Sequence, residues 1–304
     1  MARTPLFSKN QPGGAFTFVD TRLAANAIIY VHYTTGTDAA GYGDNPDAPV
    51  KTLDYAIGLC TASKGDLIVL MPGHAETTTA IALDVAGVKI VGQGFGANRP
   101  TLTATTASTD LLNVTAANCE IENVRLVGAA SGNTALLDLS AAATDFVARG
   151  CEFVQAATPL SAVTIVGAER FVFSGCSFRG SADGPDRVFS IEVGCDNWVI
   201  ENCRFLYPLG LDNELIKSVA VCVGYVIKDV TVVGIDTLLV NFSSSSAGPP
   251  DGLFASGHVM ASAAVTSIED IVAGATSKGM AFGTVYATDA VAKRSVPIPL
   301  VSAS

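Results

Sequence analysis

One phrase recurs along the chain. "CEIENVRL", "DFVARGCEF", "FVFSGCSFRG", "NWVIENCRF" and "GYVIKDVTV" align on one slot, held by Val124, Cys151, Cys176, Cys203 and Val230, and successive slots lie 27, 25, 27 and 27 residues apart. Spacing this regular marks one structural unit written several times, and it restricts the chain to stacked architectures. Five residues before the slot stand Cys119, Phe146, Phe171, Trp198 and Tyr225, and three before it Ile121, Ala148, Phe173, Ile200 and Ile227. Two residues after it come Leu126, Phe153, Phe178, Phe205 and Val232. Apolar positions at −5, −3, 0 and +2 describe two short strands of period two whose phase slips by one residue between them.

The slip falls on the residue just before the slot, which is Asn123, Gly150, Gly175, Asn202 or Asp229. These types tolerate the left-handed backbone, so the chain turns there and carries its inward face around a corner. A further strand precedes each corner, with Val114, Leu139, Ile165, Val193 and Val219 as its apolar markers. Three strands per coil, about 26 residues each, predict an all-β chain: a right-handed, single-stranded parallel β-helix of about six coils. The outward columns carry Glu122, Arg149, Ser174, Glu201 and Lys228 at −2, and Arg125, Glu152, Ser177, Arg204 and Thr231 at +1. Their alternating signs predict a solvated ladder of weak pairs: Glu122 over Arg149, Arg125 over Glu152, and Glu201 over Lys228.

Upstream, "GVKIVGQGFG" reads as an imperfect first rung, with Val88, Ile90, Gly92 and Phe95 in the columns and Gln93 in the slot. "GDLIVLMPG" reads as a strand ending in a turn, and "DAPVKTLDYAIGLC" as an amphipathic helix with Val50, Leu53, Ala56, Ile57 and Cys60 on one side. Such a helix would cap the open end of the stack. The organisation predicted is an N-terminal arm and lead-in segment over 1–48, the β-helix with its capping helix over 49–242, and a linker with a C-terminal arm or small accessory region over 243–304. Both arms read as extended, and "SSSSAGPPDG" as the flexible break.

The run "GYGDNPDAPVKTLDYAIGL", followed by "GDLIVLMPG" and "GVKIVGQG", resembles the leading segment of right-handed β-helix proteins of the pectin-lyase-like class, including many found in bacteriophage particles. That class carries lyases, hydrolases, tailspikes and purely structural parts, so the resemblance implies fold more than function. Polygalacturonase-like members carry motifs resembling NTD, DD, GHG and RIK. This chain has none of them, and "LIK" at Leu215 to Lys217 is a poor match. Against a pectate-lyase pattern, "ANRPTL" offers Arg99 without a second Arg. The best carboxylate group is Asp183, Asp186, Asp212 and Glu214, in two loops after successive rungs, where a pair could work on a sugar or hold calcium. The expectation is that these acids are only solvated.

Seven cysteines, an odd number with no CxxC, predict buried free thiols in place of disulfides or a metal site. His32, His74 and His258 are far apart in sequence, and His74 in "PGHAE" reads as a turn residue. A net charge of −10 without a basic patch argues against nucleic acid, and no apolar run approaches a membrane helix. No secretory signal is visible in "MARTPLFSKNQPGG". The reading is a non-enzymatic bacteriophage virion part, a capsid decoration or cement protein, with no catalytic, cofactor or metal residues assigned. Its expected partners are the major capsid protein or other virion proteins and sister copies, a trimer preferred, with assembly into the virion in the host cytoplasm. The alternative is a tail-associated, tailspike-like β-helix that binds or cleaves bacterial surface polysaccharide.

Overall fold

Each phase slip in the sequence is a corner in the backbone. In the computed structural model Asn123, Gly150, Gly175, Asn202 and Asp229 have φ between 53° and 66°, the left-handed region that Asn, Asp and Gly enter at least cost. The structure describes residues 26–105, 109–128, 134–156, 161–180, 187–207, 214–218, 222–235, 238–242, 251–261, 272–273, 280–289 and 295–298.

Three faces result, each a parallel sheet with one strand per rung. The first face stacks Ile81–Leu83, Leu112–Val114, Leu137–Leu139, Ser161–Val166, Arg187–Val193, Glu214–Ser218, Leu238–Phe242 and Val272–Ala273. The second includes Lys89–Gly92, Glu120–Glu122, Val147–Arg149, Val172–Ser174, Val199–Glu201 and Val223–Lys228. The third includes Thr101–Ala104, Arg125–Gly128, Glu152–Gln155, Ser177–Gly180, Arg204–Leu206 and Val230–Ile235. This is a parallel β-helix, with neighbouring rungs about 4.8 Å apart. Backbone bonding continues through the corners, as in Asn123 N–H to Arg149 O at 2.9 Å and Gly150 N–H to Ser174 O at 2.9 Å.

The columns read from the sequence form the interior. Ile121, Ala148, Phe173, Ile200 and Ile227 pair in register, and so do Leu126, Phe153, Phe178, Phe205 and Val232. Register turns columns into stacks: Phe153, Phe178 and Phe205 lie face to face at 4.6 and 5.0 Å, and Phe171, Trp198 and Tyr225 at 5.5 and 4.8 Å. Cys151, Cys176 and Cys203 are buried, unpaired by disulfides, and each thiol donates to a carbonyl of the preceding rung, Ile121, Ala148 and Phe173 respectively. Hydrogen bonds from the flanking thiols and burial push the Cys176 thiol well above its ordinary range, which suppresses the reactive thiolate. We expect all three to label slowly with thiol reagents in the native protein and rapidly in denaturant. Fast native labelling would remove them from the interior.

A second corner per rung was not read from the sequence. Asn118, Asp145, Arg170, Asn197 and Gly224 are also left-handed, with φ from 56° to 72°. They join the first face to the second. Arg170 is an unusual residue for this conformation, and its guanidinium grips both carboxylate oxygens of Asp145 one rung away, at 2.7 and 2.9 Å.

Several expectations need correction. The first-face column continues from Ile165 to Ile191 and Ser218, because a register shift after Ile165 sets Val193 opposite Val166 and leaves Val193 exposed; Val219 lies outside the described residues. Phe95 is not in a column: it is 86% exposed, and Leu102 takes the inward place beside Leu126. The chain leaves the stack at Gly92, where a Cβ would lie 2.3 Å from the Asn123 carbonyl oxygen, and rejoins it at Thr101. Strands also run on past residue 242. Asp251–Ala261 pairs parallel with both Val223–Lys228 and Val230–Ile235, and Met280–Asp289 pairs parallel with it in turn.

At the other end, Ile28–Val31 pairs with Leu67–Leu70. The helix forms over Leu53–Leu59, with Thr52 as N-cap and Leu53, Ala56 and Ile57 buried. The proposed arm over the first residues, 1–25, lies outside the described residues.

Candidate functional site

The outer side of the first face carries a polar column. Asn113, Asp138, Thr164, Ser190 and Lys217 succeed one another in register, one per rung. The period-two pattern fixes this arrangement: the residues on either side of each point inward, such as Leu137 and Leu139 around Asp138, and are buried.

Asp138 is the group in this column whose chemistry stands out. Burial, reinforced by the neighbouring charge of Asp110, pushes its pKa from 3.8 up to about 6. Asp110 precedes the strand one rung below; burial raises it too, while hydrogen bonds from the Thr134 side chain and the Ala135 backbone oppose that rise. A carboxyl group that holds its proton to about pH 6 beside a second carboxyl group is an arrangement from which acid–base pairs are made. Toward the next rungs, Ser190 is buried and donates to Glu192, and the Arg187 guanidinium donates to the Ser190 hydroxyl at 3.3 Å. The Arg187 carbonyl accepts from Gln155, which in turn accepts from the buried Tyr207 hydroxyl. That chain of bonds holds the start of the Arg187 strand in place from inside the coil.

Of the four acids singled out in the sequence, the structure describes the backbone of Glu214 alone. Asp183, Asp186 and Asp212 lie outside the described residues. Glu214 begins a first-face strand, two residues before Ile216, which pairs with Phe189, so its backbone stands beside that of Arg187. Glu214 therefore shares the first face with Asp138. Asp138 itself escaped notice because it stands alone between two leucines, and its proton affinity comes from the burial around it.

The histidines part company. His74 and Glu76 are both buried, with His74 Nε2 3.2 Å from Glu76 Oε2. Tyr33 N–H donates to His74 Nδ1 and Leu53 N–H to Glu76 Oε2. All of these bonds close within the fold around the turn that His74 was expected to occupy. His32 is nearby despite its distance in sequence; burial and then the His74 charge lower its pKa. Of His258 the structure gives the backbone, paired with Thr231 and Tyr286. Among the described residues no group of three or more His, Cys, Asp or Glu is placed to hold a metal ion.

The charge ladder is real but rearranged. Arg125–Glu152 at 2.7 Å and Lys228–Glu201 at 2.8 Å match the expected pairs. Arg149 instead meets Glu120 at 3.1 Å, and Glu122 meets Lys89 at 2.8 Å.

Neither the protein-family models nor the curated proteins give a match to this chain. Solved structures do. A pectate lyase, Pel9A, is similar over 88% of this chain and 78% of its own, with a TM-score of 0.52 and 14% identity. The pectin methylesterase from carrot covers 87% of this chain and 90% of its own at a TM-score of 0.49 and 12% identity. That from Yersinia enterocolitica covers 81% and 85% at 0.44 and 13%. The fold is thus the pectin-lyase-like parallel β-helix, as the leading segment suggested. The expectation of a non-enzymatic part is overturned by the same finding: this backbone follows that of a pectate lyase, a scaffold that carries catalysis. Motifs from one enzyme group on this fold do not define the others.

Proposed function

We propose that this chain binds a polysaccharide along the outer side of the first face and cleaves it there, with Asp138 as proton donor. The observation that carries the reading is the pKa of Asp138, raised to about 6 by burial and by Asp110. A carboxyl group that keeps its proton near pH 6 can deliver it to the oxygen leaving as a glycosidic C–O bond breaks, with Asp110 placed as the base for the proton of the attacking water. Asn113, Thr164 and Lys217 supply hydrogen-bonding groups at the rung spacing on either side of Asp138. The likeness to a pectate lyase supports a polysaccharide as the substrate class.

The test is release of new reducing ends from a panel of bacterial capsules, lipopolysaccharide chains and pectic polymers. Cleavage should fall as pH rises through about 6, and Asp138→Asn should abolish it. The same variant has a stability signature of opposite sign. Because the folded pKa exceeds the ordinary 3.8, the folded state holds a proton that the unfolded chain has released between that value and about 6. Stability from this group is full below that window and falls as pH rises through it. Asp138→Asn should flatten the fall and unfold at a higher temperature than the parent at neutral pH. A parent-like pH profile in the variant, or cleavage that survives it, would refute the assignment.

The setting we propose is a bacteriophage particle, as a tail-associated protein with other virion proteins and sister copies, a trimer, as its partners. The resemblance of the leading segment supports it. Mass spectrometry of purified particles and sedimentation of the isolated protein check it.

A further inference from the structure

A different part of the surface gathers positive charge on this acidic chain. On the third face, Glu152 Oε2 meets Arg125 Nε at 2.7 Å and Arg99 Nη1 at 3.5 Å, and Glu152 Oε1 meets Arg179 Nε at 2.7 Å. Three guanidiniums against one carboxylate leave an excess of two positive charges, within a chain whose net charge is −10. Glu152 is only 14% exposed, and the arginines are more open. Burial works against its ionisation, but hydrogen bonds from Arg125 and Arg179, and their charges, hold its pKa below the usual carboxylate range.

The pairing geometry leaves donors to spare. Arg125 and Arg179 both engage Glu152 through Nε, the inner edge of the guanidinium, whereas a two-toothed pair would also occupy a terminal nitrogen. Arg125 spends one terminal nitrogen on the Gly96 carbonyl at 3.4 Å. Arg204 is exposed one rung beyond Ser177, in the same outward column as Arg125 and Glu152.

An aromatic ring accompanies the cluster. Phe95 stands 86% exposed on the segment that leaves the stack after Gly92, next to Gly96, whose carbonyl holds Arg125. The segment is pinned: Asn123 Nδ2 donates to the carbonyls of Gly92 and Gly94 at 2.8 and 3.1 Å, and the short turn Gly96–Asn98 leads into Arg99. A single exposed apolar side chain is ordinary. An exposed aromatic on a pinned segment whose next residue binds Arg125 and which leads into Arg99 combines an apolar platform with a few placed polar groups, the make-up of a ligand site.

We propose that Phe95, Arg99, Arg125 and Arg179, oriented by Glu152, form a second binding site, separate from the Asp138 column, for a sugar unit bearing a carboxylate or sulfate group. The sugar ring lies against Phe95, and its anionic group takes the terminal guanidinium nitrogens that Glu152 leaves free. Glu152 is a positioning residue, since it touches the arginines and not the ligand.

The test is titration calorimetry of the full chain at low salt with four polymers: dextran sulfate, polygalacturonate, unmodified dextran and polyglutamate. We expect binding to at least one of the two charged glycans, weakening with added salt, and none to dextran. Arg125→Gln/Arg179→Gln should weaken it by about tenfold or more, and Phe95→Ala by several-fold, in variants whose thermal unfolding shows them folded. Reducing-end release reads the first face, whereas the difference in binding between the parent and the arginine and Phe95 variants reads this site, so failure of the first-face reading and failure of this one give different results. Binding to neither charged glycan, binding that the arginine and Phe95 variants keep, or equal binding to polyglutamate would each overturn the proposal.

Discussion

Phe178→Ala should lower the free energy of unfolding by about 3–5 kcal/mol, the range for emptying a fully buried aromatic site. Phe178 has no exposed surface, and its ring stacks on Phe153 at 4.6 Å and Phe205 at 5.0 Å, with Phe189 at 5.1 Å across the coil. The hole cannot close by a shift of one strand, because Ser177–Gly180 is tied in register to the rung on each side. A stacked architecture passes such a defect to its nearest neighbours, so the loss is expected to destabilise the rungs of Phe153 and Phe205 as well. Urea or guanidinium unfolding measures it, with Phe95→Ala, at an 86% exposed site, as the comparison expected to change stability by less than about 0.5 kcal/mol. A loss below about 1 kcal/mol for Phe178→Ala would mean that the +2 column is not the packed interior.

That column was legible because burial in a parallel coil acts on every rung alike. The same residue types recur wherever the backbone meets the same surroundings, so Phe153, Phe178 and Phe205 announced themselves by spacing alone. The corner at Asn123, Gly150, Gly175, Asn202 and Asp229 was legible for the same reason. The corner at Asn118, Asp145, Arg170, Asn197 and Gly224 was open to the same counting, but Arg170 broke the composition. Its left-handed backbone is supported by a pair with Asp145, visible only once the rungs are stacked.

The candidate sites were harder to read, since they are made by neighbours that spacing does not connect. Asp138 owes its raised pKa to burial and to Asp110, 28 positions away by residue number. The arginine cluster draws Arg99 from a segment outside the repeat and Arg179 from the +3 position, while only Arg125 and Glu152 belonged to a counted column. The register shift that moved Val193 out of line had no mark in the sequence, because its own side chain is as apolar as those it was grouped with.

Glu76→Ala should be the most damaging polar substitution, lowering stability by about 4 kcal/mol, the sum for two buried donors left without an acceptor. Because the Tyr33 N–H donates to His74 Nδ1, the proton of a neutral His74 ring sits on Nε2, facing Glu76 at 3.2 Å. Glu76 Oε2 also takes the Leu53 N–H at 2.9 Å, a backbone donor at the first turn of the helix Leu53–Leu59 that has no partner within that helix. Asp38 binds the Lys51 and Thr52 N–H groups and the Thr52 hydroxyl, and Thr52 accepts from Tyr55, so these neighbouring acceptors are engaged elsewhere than at Leu53. Glu76→Gln retains one acceptor oxygen and should cost roughly half as much. Hydrogen exchange should show the damage first in the helix and in Leu67–Leu70, against which it packs, with the rungs from Glu120 onward protected as before. A loss below about 1 kcal/mol in Glu76→Ala would release His74 and Glu76 from this structural role and return them as candidates for chemistry. The expected loss instead ties both side chains to the folding of the first rung.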